Sequence, residues 1–138
     1  MWFESPPISK VSFENVIDAI KNTETYILIN TLPAGEQDYL ILSTIFYQTE
    51  EVRINDLLSS GEYRKKHFIV YGKNTNDPTV DKKYKQLLGL GLKNVSVYLG
   101  GLFEWALLQD IYGAEEFPTT GKIIDILRFK GLREPRFP

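Results

Sequence analysis

Three short apolar runs punctuate the chain, at Tyr26-Ile27-Leu28-Ile29-Asn30, Phe68-Ile69-Val70-Tyr71 and Val95-Ser96-Val97-Tyr98-Leu99. They are continuous rather than alternating, the pattern of strands buried on both faces. Between them, apolar residues recur at helical spacing. Phe13, Val16, Ile17 and Ile20 form one stripe behind Ser12, a residue suited to cap a helix. Val80, Tyr84, Leu87 and Leu88 form a second stripe. It follows Asp77 at an N-cap position and Pro78 at the first helical position, and Gly89 and Gly91 stop it. A third helix is expected from Leu102 to Tyr112, entered through Gly100-Gly101 and closed by Gly113. Strands alternating with helices predict an α/β fold: a central, mostly parallel five-stranded sheet with helices on both faces.

Other stretches are less periodic. Leu32-Pro33-Ala34-Gly35 reads as a turn. Asp38 to Tyr47 is apolar and expected to be helical in part, with an ambiguous period. Glu51-Val52-Arg53-Ile54 is expected to form a short strand, followed by a helical turn that stops near Gly61. After Gly113 come a loop from Phe117 to Gly121 and a last short element from Lys122 to Phe129, with Thr120 as its cap. The tail is expected to pack back through Phe117, Ile123, Ile124 and Leu127, or else to offer a docking point. Repeats and low-complexity segments are absent. The expected organisation is one domain over 1–138, with a core at about 8–112 and a C-terminal extension at about 113–138.

Composition narrows the chemistry. The 138 residues are 43% hydrophobic and 25% charged, ordinary for a globular domain, and include no cysteine. Disulfides, thiolate nucleophiles and thiolate-held metals or clusters are therefore excluded. The net charge of −2 is uneven. Residues 1–60 carry three basic and nine acidic side chains, whereas Lys122, Arg128, Lys130, Arg133 and Arg136 crowd the C-terminal end. That basic end reads as a solvated terminus, and without a basic stripe no nucleic-acid partner is expected. The N-terminus, Met1 to Pro7, lacks the pattern of a secretory signal, and no apolar stretch is long enough for a membrane span. The expectation is a soluble, intracellular, cytoplasmic protein. His67 is the only histidine and follows Arg64-Lys65-Lys66, so it reads as a solvated strand edge rather than a triad member or metal ligand. Gly121-Lys122 precedes Ile123 rather than the hydroxyl residue of a phosphate loop. The acidic pairs Glu50/Glu51 and Glu115/Glu116, and Glu36 with Asp38, read as solvated faces. No catalytic residue, metal site or cofactor is expected.

The most specific stretch is Lys93-Asn94-Val95-Ser96-Val97-Tyr98-Leu99-Gly100-Gly101-Leu102-Phe103-Glu104-Trp105. It resembles the end of a rhodanese-like domain, where a strand runs into two glycines and the helix after them carries a tryptophan. Ile8-Ser9 with the helix after Ser12 looks like that family's opening. Tyr26 to Asn30 is similar to its first central strand, with Asn30 where an aspartate is common, and His67 to Tyr71 to the strand that enters the active-site loop. The resemblance covers residues 8–112. The segment from Leu107 to Thr120 is similar to its counterpart in single-domain rhodanese-like proteins of some protists and large DNA viruses.

In active members, the resemblance implies, a cysteine follows that strand and carries sulfur as a persulfide. The matching position here is Gly72, in Gly72-Lys73-Asn74-Thr75-Asn76-Asp77. The stretch from Gly72 to Gly91 is longer than in the small sulfurtransferases. The related cell-cycle phosphatases place a cysteine and an arginine in this loop, and neither is present. A glycine–histidine pair common in the family is missing between Leu40 and Arg53. The expected function is therefore a non-catalytic rhodanese-like module that binds a protein partner as a scaffold or regulatory domain. Two alternatives stand beside it. One is an anion- or small-molecule-binding protein or enzyme reusing Lys73, Asn74, Asn76 and Asp77, in which Asp77 would oppose an anion. The other is a structural subunit of a larger assembly. The sequence leaves the oligomeric state undefined.

Overall fold

The computed structural model describes residues 7–122 and 125–131. Five strands form one sheet: β1 (Lys10–Val11), β2 (Tyr26–Asn30), β3 (Thr44–Ile45), β4 (His67–Tyr71) and β5 (Val95–Tyr98). Their order is β1-β5-β4-β2-β3, and every strand pair is parallel. Four helices cover it: α1 (Phe13–Lys21), α2 (Tyr47–Ser60), α3 (Pro78–Gly89) and α4 (Gly101–Tyr112).

The continuous apolar runs of the central strands follow from this layering. Leu28, Ile69, Tyr71 and Tyr98 point to one face, where α1 and α4 bring Val16, Ala19, Leu102, Trp105 and Ala106. Ile27, Ile29, Phe68, Val70, Val95 and Val97 point to the other, beneath Ile54 and Leu57 of α2 and Val80, Tyr84 and Leu87 of α3. With both faces buried, the central strands read as nearly continuous apolar runs, and their buried polar side chains, Asn30 and Ser96, are hydrogen-bonded.

Helix ends match their sequence signals in part. Asp77 caps α3, its carboxylate accepting from the Thr79 N–H at 3.0 Å. Gly61 closes α2 in the left-handed region, with φ of 77°. At α1, the Asn15 carboxamide reaches back to accept from the Ser12 N–H at 2.9 Å. Leu88 departs from the expected α3 stripe and is exposed.

Four further expectations give way. Glu51 to Ile54 is not a strand but lies inside α2, because Ile54 and Leu57 continue a helical stripe while Val52 faces solvent. The first amide of that helix is capped from a distance: the Tyr47 N–H donates to Gln37 Oε1 at 2.9 Å. Asp38 to Tyr47 is not helical before Tyr47. Ser43 takes a positive φ of 72°, and Ile41 bridges Thr119 in antiparallel fashion. Tyr39, Leu40 and Ile41 are buried, held partly by Tyr71, whose hydroxyl accepts from the Ile41 N–H at 3.1 Å and lies 2.7 Å from Thr44 Oγ1. The last short element is a 3-10 turn, Ile126–Phe129, capped by Asp125 rather than Thr120. Phe129, not Leu127, packs into the core; Leu127 is exposed, and Ile123 and Ile124 lie outside the described residues.

His67 also differs from expectation. It opens β4, the middle strand, not an edge. Its ring is half-buried, stacks on Tyr26 at 5.4 Å and places Nε2 2.8 Å from Ser96 Oγ. Burial holds its pKa below the ordinary 6.5. The unfolded chain therefore takes up this proton at higher pH than the native state, and stability rises with pH across the interval between the two values. Thermal unfolding temperature is expected to fall as pH drops below about 6.5. His67→Gln should flatten that slope; an equal slope in the variant would exclude His67 as its source.

Candidate functional site

The loop between β4 and α3, residues 72–77, sits at the C-terminal edge of the parallel sheet, where α/β folds bind ligands. Its floor is Gly72. A Cβ placed there would lie 2.5 Å from Asp77 Oδ2, 2.6 Å from Val80 Cγ2 and 2.8 Å from Thr31 Oγ1. Those distances are inside van der Waals contact, so the position accepts glycine with its surroundings as they stand. The Asp77 carboxylate occupies the space. Oδ2 accepts from the Lys73 N–H at 2.9 Å, while Oδ1 accepts from the Thr79 N–H and lies 2.6 Å from Thr79 Oγ1. The loop's concave side holds a carboxylate of its own.

The loop rests on α4. Gly101 has φ of +64°, and a Cβ on it would meet Gly72 O at 2.6 Å and Asn74 N at 3.0 Å. This close approach lets the first amides of α4 find partners: Leu102 N–H donates to Gly72 O at 2.9 Å and Phe103 N–H to Lys73 O at 2.8 Å. The Gly100-Gly101 pair thus does more than turn the chain out of the sheet. At Gly101 it allows helix and loop to touch backbone to backbone.

The other loop residues are engaged in different directions. Lys73 Nζ lies 3.3 Å from Glu36 Oε2. Asn74 Oδ1 accepts from the Asn76 N–H at 2.9 Å, and its Nδ2 donates to Phe129 O at 2.9 Å. A Cβ on Gly131 would lie 3.2 Å from Asn76 Nδ2, which places the C-terminal segment against the loop. Lys73 and Asp77 line one cavity of about 420 Å³ with Thr31, Leu32 and Thr79; Asn74 and Asn76 do not reach it. The loop therefore does not bring Lys73, Asn74, Asn76 and Asp77 together around one space. Thr75 makes no side-chain hydrogen bond among the described residues.

Sequence reasoning passed over several participants. Arg128 forks onto Asp38 at 3.0 and 3.2 Å and lies 3.9 Å from Glu36, so the basic extension meets the acidic first half of the chain. The Arg128 guanidinium holds the Asp38 carboxyl below its usual 3.8. Phe129 stacks on Tyr39 at 5.6 Å. Asn30, at the end of β2, exchanges hydrogen bonds with the Gln37 carboxamide at 2.9 and 3.1 Å, an amide–amide pair that an aspartate could not complete. The sequence hinted at the first of these through its opposed charge blocks. The others depend on contacts distant along the chain.

Among the described residues no group of histidine, cysteine, aspartate or glutamate side chains is arranged to hold a metal ion, and no helix is long and apolar enough to cross a membrane.

No family profile and no curated protein matches the sequence. Solved structures match the fold. The BH2092 protein from Bacillus halodurans aligns over 82% of this chain and 77% of its own, with a TM-score of 0.61 and 16% identity. The rhodanese-like domain of the Alr3790 protein from Anabaena sp. aligns over 96% of this chain and 91% of its own, with a TM-score of 0.56 and 19% identity. Thiosulfate sulfurtransferase from Pseudomonas aeruginosa aligns over 72% of this chain but only 19% of its own, with a TM-score of 0.57 and 16% identity. The chain has a rhodanese-like α/β fold and, unlike a persulfide-forming enzyme, contains no cysteine.

Proposed function

We propose that this rhodanese-like chain is a non-catalytic module that binds another protein, as a scaffold or regulatory domain. The observation that carries the reading is the Asp77 carboxylate in the 72–77 loop, hydrogen-bonded to the Lys73 amide and crowding Gly72. Sulfur transfer through a persulfide needs a thiolate where the strand ends and free loop amides to hold negative charge. Here the thiol is absent, and one of those amides already serves a resident carboxylate. A second anion would meet a charge of its own sign. The same observation argues against reuse of the loop as an anion site.

The direct test is a thiosulfate:cyanide assay on the chain and on Gly72→Cys. Both are expected to stay at background, and turnover by the unaltered chain would overturn the reading. Gly72→Cys is also expected to lose about 2–4 kcal/mol of stability in urea unfolding, because the new side chain displaces a capping carboxylate in a packed site. The binding half of the proposal is tested by retention of a stoichiometric partner on the immobilised chain. Light scattering of the purified chain separates this outcome from self-assembly into a structural subunit.

A further inference from the structure

On the face of the sheet opposite α1 and α4, α2 and α3 leave a cleft of about 480 Å³ between them. Its floor is apolar, made by Ile54 and Leu87, which are almost fully buried. An ion pair bridges its two walls, Lys83 Nζ of α3 to Glu50 Oε2 of α2 at 2.6 Å, with most of both side chains out of solvent. Two helices that only had to pack together would close this gap with apolar side chains. Lys83 neutralises Glu50, and Glu51 beside it on α2 has no ion-pair partner among the described residues, so the cleft carries one net negative charge. Tyr47 and Leu90, both about half exposed, line it as well, and Tyr47 also borders the cavity beside the 72–77 loop. From Tyr47 to Asn55 the α2 wall runs about 12 Å at 1.5 Å per residue, the span of about four extended residues.

We infer that this cleft docks an extended segment of a partner protein that pairs a basic side chain with a neighbouring large apolar one. The basic group meets Glu51, and the apolar side chain rests on Ile54 and Leu87 between Tyr47 and Leu90. Charge complementarity selects the segment, and the apolar floor supplies contact area. This inference rests on the reading of the chain as a protein-binding module.

The probe is a phage-displayed library of random dodecamer peptides, selected on the immobilised full chain. Enrichment of peptides with a lysine or arginine beside a leucine or aromatic residue is expected. Their binding should weaken about tenfold in Glu51→Lys, fall in Leu90→Ser and weaken with added salt. It should be unchanged in Glu14→Lys, the same charge reversal on an exposed position of α1. Melting temperatures of all three variants check that they fold. Selected peptides that bind Glu51→Lys and Leu90→Ser as well as the parent overturn the cleft and leave the protein-binding reading standing. No enrichment overturns the cleft as a linear-segment site, while the partner-retention experiment decides the broader reading separately.

Discussion

Trp105→Ala is expected to destabilise the protein by about 3–5 kcal/mol, read as a lower urea midpoint at unchanged slope. The ring is fully buried at the centre of the face under α4. It meets Tyr98 edge-on at 6.2 Å and Phe117 edge-on at 5.0 Å, and its Nε1–H donates to Pro118 O at 3.2 Å. Truncation therefore opens a large cavity and removes the anchor of the segment that follows α4. That segment supplies Phe117 and Phe129 to the same core. Protease cleavage after Gly113 should rise in the variant more than global stability alone explains. Trp105→Phe keeps an aromatic ring and should lose much less, and equal losses in the two variants would refute the cavity argument.

Gly101→Ala is expected to cost a similar amount, about 3–5 kcal/mol, for a different reason. The left-handed backbone alone penalises a Cβ by about 1–2 kcal/mol. Here the Cβ would also strike the backbone of Gly72 and Asn74, which has no rotamer in which to retreat. Relief requires α4 to move away from the loop and to lengthen the bonds from Leu102 and Phe103, each worth about 1 kcal/mol. Gly91→Ala is the control. Gly91 also has a positive φ, +100°, but nothing lies within 4 Å of its Cβ direction, so it should show the backbone penalty alone. Equal losses at Gly91 and Gly101 would remove the close-approach argument.

The parts of the fold legible in the sequence were those with local signals. Three apolar runs gave β2, β4 and β5, and the Asp77-Pro78 and Gly100-Gly101 steps gave the starts of α3 and α4. What stayed hidden was non-local. Tyr47 to Ser60 lacks a cap of its own, because Gln37 supplies it from another loop. Leu40 and Ile41 read as a helix by composition, yet they are buried through Tyr71 and Thr119, distant along the chain. At the candidate site the missing cysteine was visible at once. The Asp77 carboxylate opposing an anion was legible too, but its crowding of Gly72 and its bond to the Lys73 amide were not, because an N-cap aspartate looks the same in sequence whether it faces water or crowds the end of the strand.

One peptide unit links the head of α4 to the Asp77 carboxylate. The amide plane between Gly72 and Lys73 accepts from the α4 amide of Leu102 on its carbonyl side and donates to Asp77 on its N–H side. Each bond polarises the group for the other, so the positive end of the α4 dipole strengthens the grip on a carboxylate beyond its own reach. The peptide therefore acts as a short hydrogen-bond relay: a change at the head of α4 is expected to alter how firmly the Lys73 amide holds Asp77.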